Sequence, residues 1–491
     1  MQVPSLVSLV LVLAILHTSC SSLMERNLTS NLSGDSSVPN ADLLPQGVAV
    51  SDVSSDSALL WLRTEGPAKV QVEWASLSAW ERASKMATVM APVSRTAELT
   101  TTAETDYTLT IPLERLSPAT RYRYHILIAS REQGNQQVPT KVAARGEFNS
   151  LPNETTSAPV TFAWSGDLGG RGRCRQGLGG YPIFDVMHRQ DPDFFLFLGD
   201  IVYSDHICPS PPNEPGADFK ATTLQEYRAR HRYQREAKSL RRLLSTVPVY
   251  VMWDDHEVHN NFAGPFEDRM PVGRQALREY WPIASPVEDP YRMYRRLRYG
   301  ADLELFILDT RQYRSRNADP DGPAKTMLGS VQLHWLLDGL QNSTATWKVV
   351  ATSVPLSIPK GGEISAPGND GWAGGPDGTG FEWERQVIVD AILRHKIKNV
   401  VFLAGDVHWV EANAYDPDQD GTIDFHEYIA GPLSAPPGRF APTREELHPT
   451  QIFYESGYHN FGLVHVTKNT FEVTVVDEAG KQRLSHRIPA R

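Results

Sequence analysis

Apolar positions along this chain fall into two regimes. From residue 47 to about 152 they alternate with polar ones in short runs, SALLWLR, KVQVEWA, DYTLTIPL and RYRYHILIA, divided by turn residues. That period of two predicts a small antiparallel sandwich. Beyond Thr155 the runs become continuously apolar (VTFAWS, DFFLFL, VYVMW, LELFI and NVVFLA) and alternate with helical stretches, among them DVMHRQ, 224–245 and 387–397. Unbroken apolar runs suit strands buried on both faces, and a strand–helix–strand order implies a layered sheet with helices outside. The Arg-rich stretch 224–245 reads as a solvated amphipathic face.

Five of the apolar runs end in oxygen or imidazole donors: GDLGG at 166–170, GDIVY at 199–203, WDDHE at 253–257, LDTRQYR at 308–314 and GDVHW at 405–409. Donors at strand ends gather on one rim of an open α/β sheet, where ligands bind. One Asp there would be an ordinary turn cap. Five together read as a two-metal site acting on phosphate esters. Asp167, Asp200, Tyr203 and His408 offer a hard set suited to a trivalent ion such as iron, with Asp200 bridging. Asp255 and Asp406 offer carboxylates, which suit a hard divalent ion, calcium above all. His256 would contact phosphate or protonate the leaving oxygen, and Arg311 would hold a non-bridging oxygen, with Arg314 the weaker candidate. The other reading of Arg311 is a salt bridge closing a strand end. Asp254, Asn260 and Asn261 are read as groups orienting the ligands, and Glu257 as structural.

Net charge of −10 argues against a general nucleic-acid binder. An apolar segment at 6–16, within 1–22, has the size of a signal-peptide core, followed by a flexible Ser/Asn-rich linker over 23–43. Export to the periplasm, the exterior or the cell surface is expected, with Cys20 a candidate lipid anchor and the sole membrane link. Asn27, Asn31, Asn153 and Asn342 lie in glycosylation sequons. Cys174 and Cys208 follow the first two donor motifs and either pair or stay as free thiols.

The combination GDxG, GDxxY, WDDHE and GDVH resembles PhoD-type alkaline phosphatases, within the calcineurin-like metallophosphoesterases that include purple acid phosphatases. GVAVSDVSSDSALLWLR, at 47–63, is similar to the start of that family's N-terminal sandwich, and LSPATRYRYHI, at 116–126, to a fibronectin type III corner in which Tyr122 is core. Trp61 is likewise read as core. The resemblance implies a fibronectin type III-like domain over 44–152, a four-layer αββα phosphatase domain over 156–487, and hydrolysis of small phosphorylated organic substrates, monoesters or diesters, by metal-activated water. The chain departs from the purple acid pattern, with Asp255 and Asp406 where those enzymes have Asn and His, and from some PhoD-type enzymes in having Asp167 near a position where they place Cys. Phosphodiesterase or phospholipase D-like activity is one rival reading. A non-catalytic, calcium-dependent surface binder is another.

A separate signal lies at Asp416, Asp418, Asp420, Thr422, Asp424 and Glu427, which with Gly421 fit the twelve positions of an EF-hand loop. Its flanks read as strands, so an isolated calcium loop between strands is expected.

Overall fold

Alternation decides the layers. In the strand Phe194–Leu198 the side chains of Phe194, Leu196 and Leu198 enter one core, while Phe195 and Phe197 enter another on the opposite face. In this computed structural model, which describes residues 42–85, 93–129, 140–177, 179–363, 366–375 and 378–491, both faces of the strand are covered. Two sheets pack face to face. One has nine strands, with Val160–Ser165, Phe194–Leu198 and Val249–Met252 parallel at its centre. The other has seven, with Leu303–Ile307, Trp347–Ala351, Val400–Ala404 and Phe425–Ile429 parallel. Phe162, Trp164 and Met252 of the first meet Leu305, Val349 and Leu403 of the second.

Helices cover the outer faces. Ile183–Arg189, Lys238–Leu244 and Met270–Tyr280 pack on Phe195, Phe197 and Val251, while Gly329–Asn342 and Glu382–Arg394 pack on Phe306, Val350 and Phe402. The expected αββα layering follows. Gly462 lets the sheet close over Trp164, whose ring lies 2.0 Å from where a Cβ would stand.

The N-terminal strands form the expected all-β sandwich, its two sheets packed through Leu60, Leu62, Val70 and Val72, and one of the two runs on into the larger sheet. Lys69–Ser76, Arg121–Ala129 and Thr140–Asn149 form a sheet of their own, joined by two short strands. Val48–Ser51, Ser57–Arg63 and Thr108–Glu114 instead extend the nine-stranded sheet, where Ser51 pairs in parallel with Val249. Tyr122 is the corner tyrosine, accepting the Ser117 N–H at 2.7 Å, and Trp61 is core, donating to the Glu279 carbonyl at 2.7 Å.

The Arg-rich stretch 224–245 corrects the solvated reading. It forms two helices, Leu224–Arg235, opened by a Thr223–Glu226 capping box, and Lys238–Leu244. Arg228, Arg230 and Arg235 are buried. Arg228 pairs with Glu279, Arg230 donates to the carbonyls of Ala217 and Tyr203, and Arg235 lies over the ring of Trp61. The leader, the linker and Cys20 lie outside the described residues. Among the described residues no helix is long and apolar enough to cross a membrane.

Candidate metal centre

Asp167, Asp200, Asp406 and His408 all take positive φ, 65°, 49°, 67° and 64°, as their chains leave the central strands. Four non-glycine residues in this sparsely allowed region place strain at one rim. The glycines beside them have a steric reason. At Gly199 a Cβ would come within 2.6 Å of the Asp254 backbone nitrogen, and at Gly170 within 2.5 Å of the Tyr203 ring. The GD and GDxG patterns therefore bring two strand ends together and seat the tyrosine.

Among the described residues two triads of donor atoms share Asp200, one with Asp167 and His408 and the other with Asp255 and His256, the donor atoms of each all within 4.8 Å of one another. A third, Asp205, His206 and His256, shares His256 with the second. The Tyr203 hydroxyl lies 3.0 Å from His408 Nε2, and Asp167 Oδ1 lies 3.3 Å from the same nitrogen. His408 Nδ1 donates to the Pro436 carbonyl at 2.7 Å, a tautomer in which Nε2 is the acceptor. Asp406 lines the same cleft, of about 60 Å³, with Asn260 and Asn261, but its Oδ2 faces the Lys360 ammonium at 3.5 Å and joins none of these triads.

The donor set fits metal ions. Asp167 Oδ2, Asp255 Oδ1 and Asp406 Oδ2 are buried and accept no hydrogen bond from the described residues. Burial pushes Asp200 well above the usual carboxylate range, and Asp255, Asp254, Glu257 and Asp167 push it further. Burial also raises Asp406 strongly against the pull of Lys360, and raises the Tyr203 phenol together with Asp200 and Asp167. Carboxylates crowded into low dielectric with free lone pairs need cations to ionise together.

Supporting groups divide in ways the sequence did not show. Glu257 is structural, accepting the backbone N–H groups of Asp200, Ile201 and Asp254 and so tying two strand ends. Asn261 donates its backbone N–H to Asp255 at 2.6 Å, and Asn260 donates its own to Asp205 at 3.0 Å. Asp205, absent from the sequence reading, also accepts from His256 Nδ1 at 2.7 Å. Burial alone would lower His256, but Asp255 and Asp205 outweigh it and hold its pKa up to about 9. Its ring stacks on Tyr203, centroids 4.1 Å apart.

Arg311 and Arg314 are corrected. Both are buried at strand ends, away from the cleft wall. Arg311 donates to Asp254 at 2.6 Å and to both oxygens of Asp370 at 2.7 Å, and Arg314 donates to Asp370 at 2.8 Å. The salt-bridge reading of Arg311 is the one the structure bears out. Asp370, Lys360 and Ser353, which bonds Asp254 at 2.6 Å, are further groups that sequence reasoning passed over.

Cys174 and Cys208 are joined as a disulfide, which links the loops after the first two motifs. In the acidic loop, carboxylates of Asp416, Asp418 and Asp424 converge, and Asp420 accepts the Thr422 N–H at 2.7 Å. Glu427 does not join them. It is buried in Phe425–Ile429 and bonds the Tyr415 hydroxyl at 2.6 Å and the Leu356 N–H at 2.7 Å, so the twelfth EF-hand position is lost to the core.

Two carboxylate–imidazole triads about one shared Asp, at the rim of a doubly layered sheet, make this a candidate metal centre. Residues 169–475 match the family described as PhoD-like phosphatase, and residues 30–152 match the PhoD-like phosphatase N-terminal domain. Alkaline phosphatase D of Bacillus subtilis (strain 168) is 28% identical over 459 residues, covering 84% of this chain and 73% of that protein. Among solved structures, one described as PhoD superimposes with a TM-score of 0.68 at 22% identity, covering 94% of each chain. The purple acid phosphatase PPD1 from yellow lupin seeds gives 0.61 at 14% identity, covering 91% of this chain and 75% of that one. This chain belongs to the PhoD-like phosphatase family and is a phosphoric ester hydrolase.

Proposed function

We propose that the protein is an exported, metal-dependent phosphatase that hydrolyses small phosphate monoesters by attack of metal-activated water, with diesters the alternative substrate class. The observation that carries this reading is the pair of triads sharing Asp200, with buried oxygens of Asp167 and Asp255 that accept no hydrogen bond from the described residues. Asp167, Asp200, Tyr203 and His408 would hold one ion, for which ferric iron suits the phenol and carboxylates. Asp200 and Asp255, with Asp406 beside them, would hold a hard divalent ion, calcium first. Bound there, such ions supply Lewis acidity toward the phosphoryl oxygens and acidify water.

The chain's own groups do the rest. The Pro436 carbonyl fixes the His408 ring so that Nε2 keeps its lone pair for a cation. His256, oriented by Asp205 through Nδ1, is the group that donates a proton to the leaving oxygen. Glu257 and Arg230 keep the second motif rigid, through backbone N–H groups and the Tyr203 carbonyl respectively. Export is supported by the apolar segment at 6–16 and by the disulfide, which persists in oxidising compartments.

The test is hydrolysis of a chromogenic phosphate monoester beside its diester analogue, before and after chelation and with calcium and ferric iron restored. Activity lost on chelation and regained only with both metals supports the reading, and the faster ester sets the class. No turnover of either ester by folded, metal-loaded protein would refute it.

A further inference from the structure

A phosphate ester entering this cleft needs a fixed cationic donor for its non-bridging oxygens, and the two arginines of the fourth motif are not free to provide one. Arg311 and Arg314 are consumed by Asp254 and Asp370. We propose that Lys360 is the phosphate-contacting cation of the site, placed there by Asp370. The proposal rests on the phosphatase reading above and adds to it a substrate contact.

Lys360 lines the cleft with Asp200, Asp255, His256, Asp406 and His408. About a third of its side chain is exposed (32%), so its ammonium meets the cleft without leaving the wall. Its partners are long, the Asp406 carbonyl at 3.3 Å and Asp406 Oδ2 at 3.5 Å, and three N–H donors allow one to turn to an incoming anion. Its backbone is pinned: the Lys360 carbonyl accepts the Asp370 N–H at 2.7 Å and the Asn369 side-chain amide at 3.1 Å. Asp370 is itself clamped by Arg311 at 2.7 Å, Arg314 at 2.8 Å and Asn317 at 3.0 Å. The buried arginines thus act on the substrate at one remove, by fixing the residue whose N–H holds the lysine. Arg171, the other cation on the wall, is exposed on a turn and forms no ion pair with the described residues.

A lysine beside Asp406 would also serve as a mere counter-charge to that carboxylate, and the experiment separates the two roles. Wild type, Lys360→Met and Lys360→Arg are loaded with metal, assayed for metal per chain by elemental analysis, and titrated calorimetrically with inorganic phosphate. The expected result is unchanged metal content in Lys360→Met, phosphate affinity weaker by about ten-fold or more, as loss of a charge-assisted hydrogen bond requires, and recovery in Lys360→Arg. Phosphate affinity within about two-fold of wild type would overturn the proposal. So would weaker phosphate binding that appears only together with lost metal. If wild type turns over no ester, the phosphatase reading fails, while the phosphate titration still decides the role of Lys360.

Discussion

His256 donates a hydrogen bond from Nδ1–H to Asp205, and the same carboxylate accepts the backbone N–H of Asn260, so one acid fixes both an imidazole and the loop that follows it. Replacing it frees the ring to rotate about its stack on Tyr203. Asp205→Ala is expected to lower kcat by about 10- to 100-fold while leaving the protein folded. An unchanged kcat for the monoester would show that His256 needs no such partner.

Arg311 carries the opposite kind of expectation, a loss of stability. Its guanidinium has no exposure and spans Asp254 and Asp370. Arg311→Met leaves the buried Asp254 carboxylate without its cation while Asp370 keeps Arg314, a loss of about 3–5 kcal/mol in urea unfolding. A loss below about 1 kcal/mol, the scale of an exposed pair, would contradict the buried-clamp assignment.

Much of this site was legible in the sequence because each ligand motif closes an apolar run, and runs of that kind become central strands. Asp167, Asp200, Tyr203, Asp255 and His408 are brought together as the motifs imply. What could not be read depended on distant partners. Nothing in LDTRQYR announces Asp370, 59 residues beyond Arg311, and so the arginine looked free. Asp205 had a local signal, an acid two residues past Tyr203, that was not used. Glu427 was misplaced because oxygen spacing was counted without strand alternation, which turns it inward beside Phe425. The period-two pattern gives the N-terminal sandwich but is blind to the single Ser51–Val249 pair that joins one of its sheets to the larger one, because that contact is non-local.

The disulfide closes a sequence separation of 34 residues between the loops carrying Arg171 and Asp205. Removing it with Cys174→Ser and Cys208→Ser together should cost about 2–4 kcal/mol and lower Tm. Equal Tm for the double variant and wild type, under oxidising conditions, would show that the loops are held without it.

Stability should also fall on acidification through His231. The ring is buried between Tyr280 and the indole N–H of Trp281, and burial, with Arg235 and Arg230, lowers its pKa from 6.5 to about 3. The folded state thus keeps it neutral while the unfolded chain protonates it. Its contribution is complete above pH 6.5 and is lost progressively as pH falls toward 3. His231→Phe should flatten the decline of unfolding free energy over that window, and an identical slope in the variant would exclude His231 as its source.

The shared carboxylate is the centre of the account, and counting metal per chain in wild type and Asp200→Asn tests it most directly. With a residue that belongs to both triads changed, the variant is expected to lose metal at both positions, along with ester hydrolysis, while its circular dichroism stays that of wild type. A folded Asp200→Asn protein that keeps the full wild-type metal complement would contradict the bridging role and the two-ion site built on it.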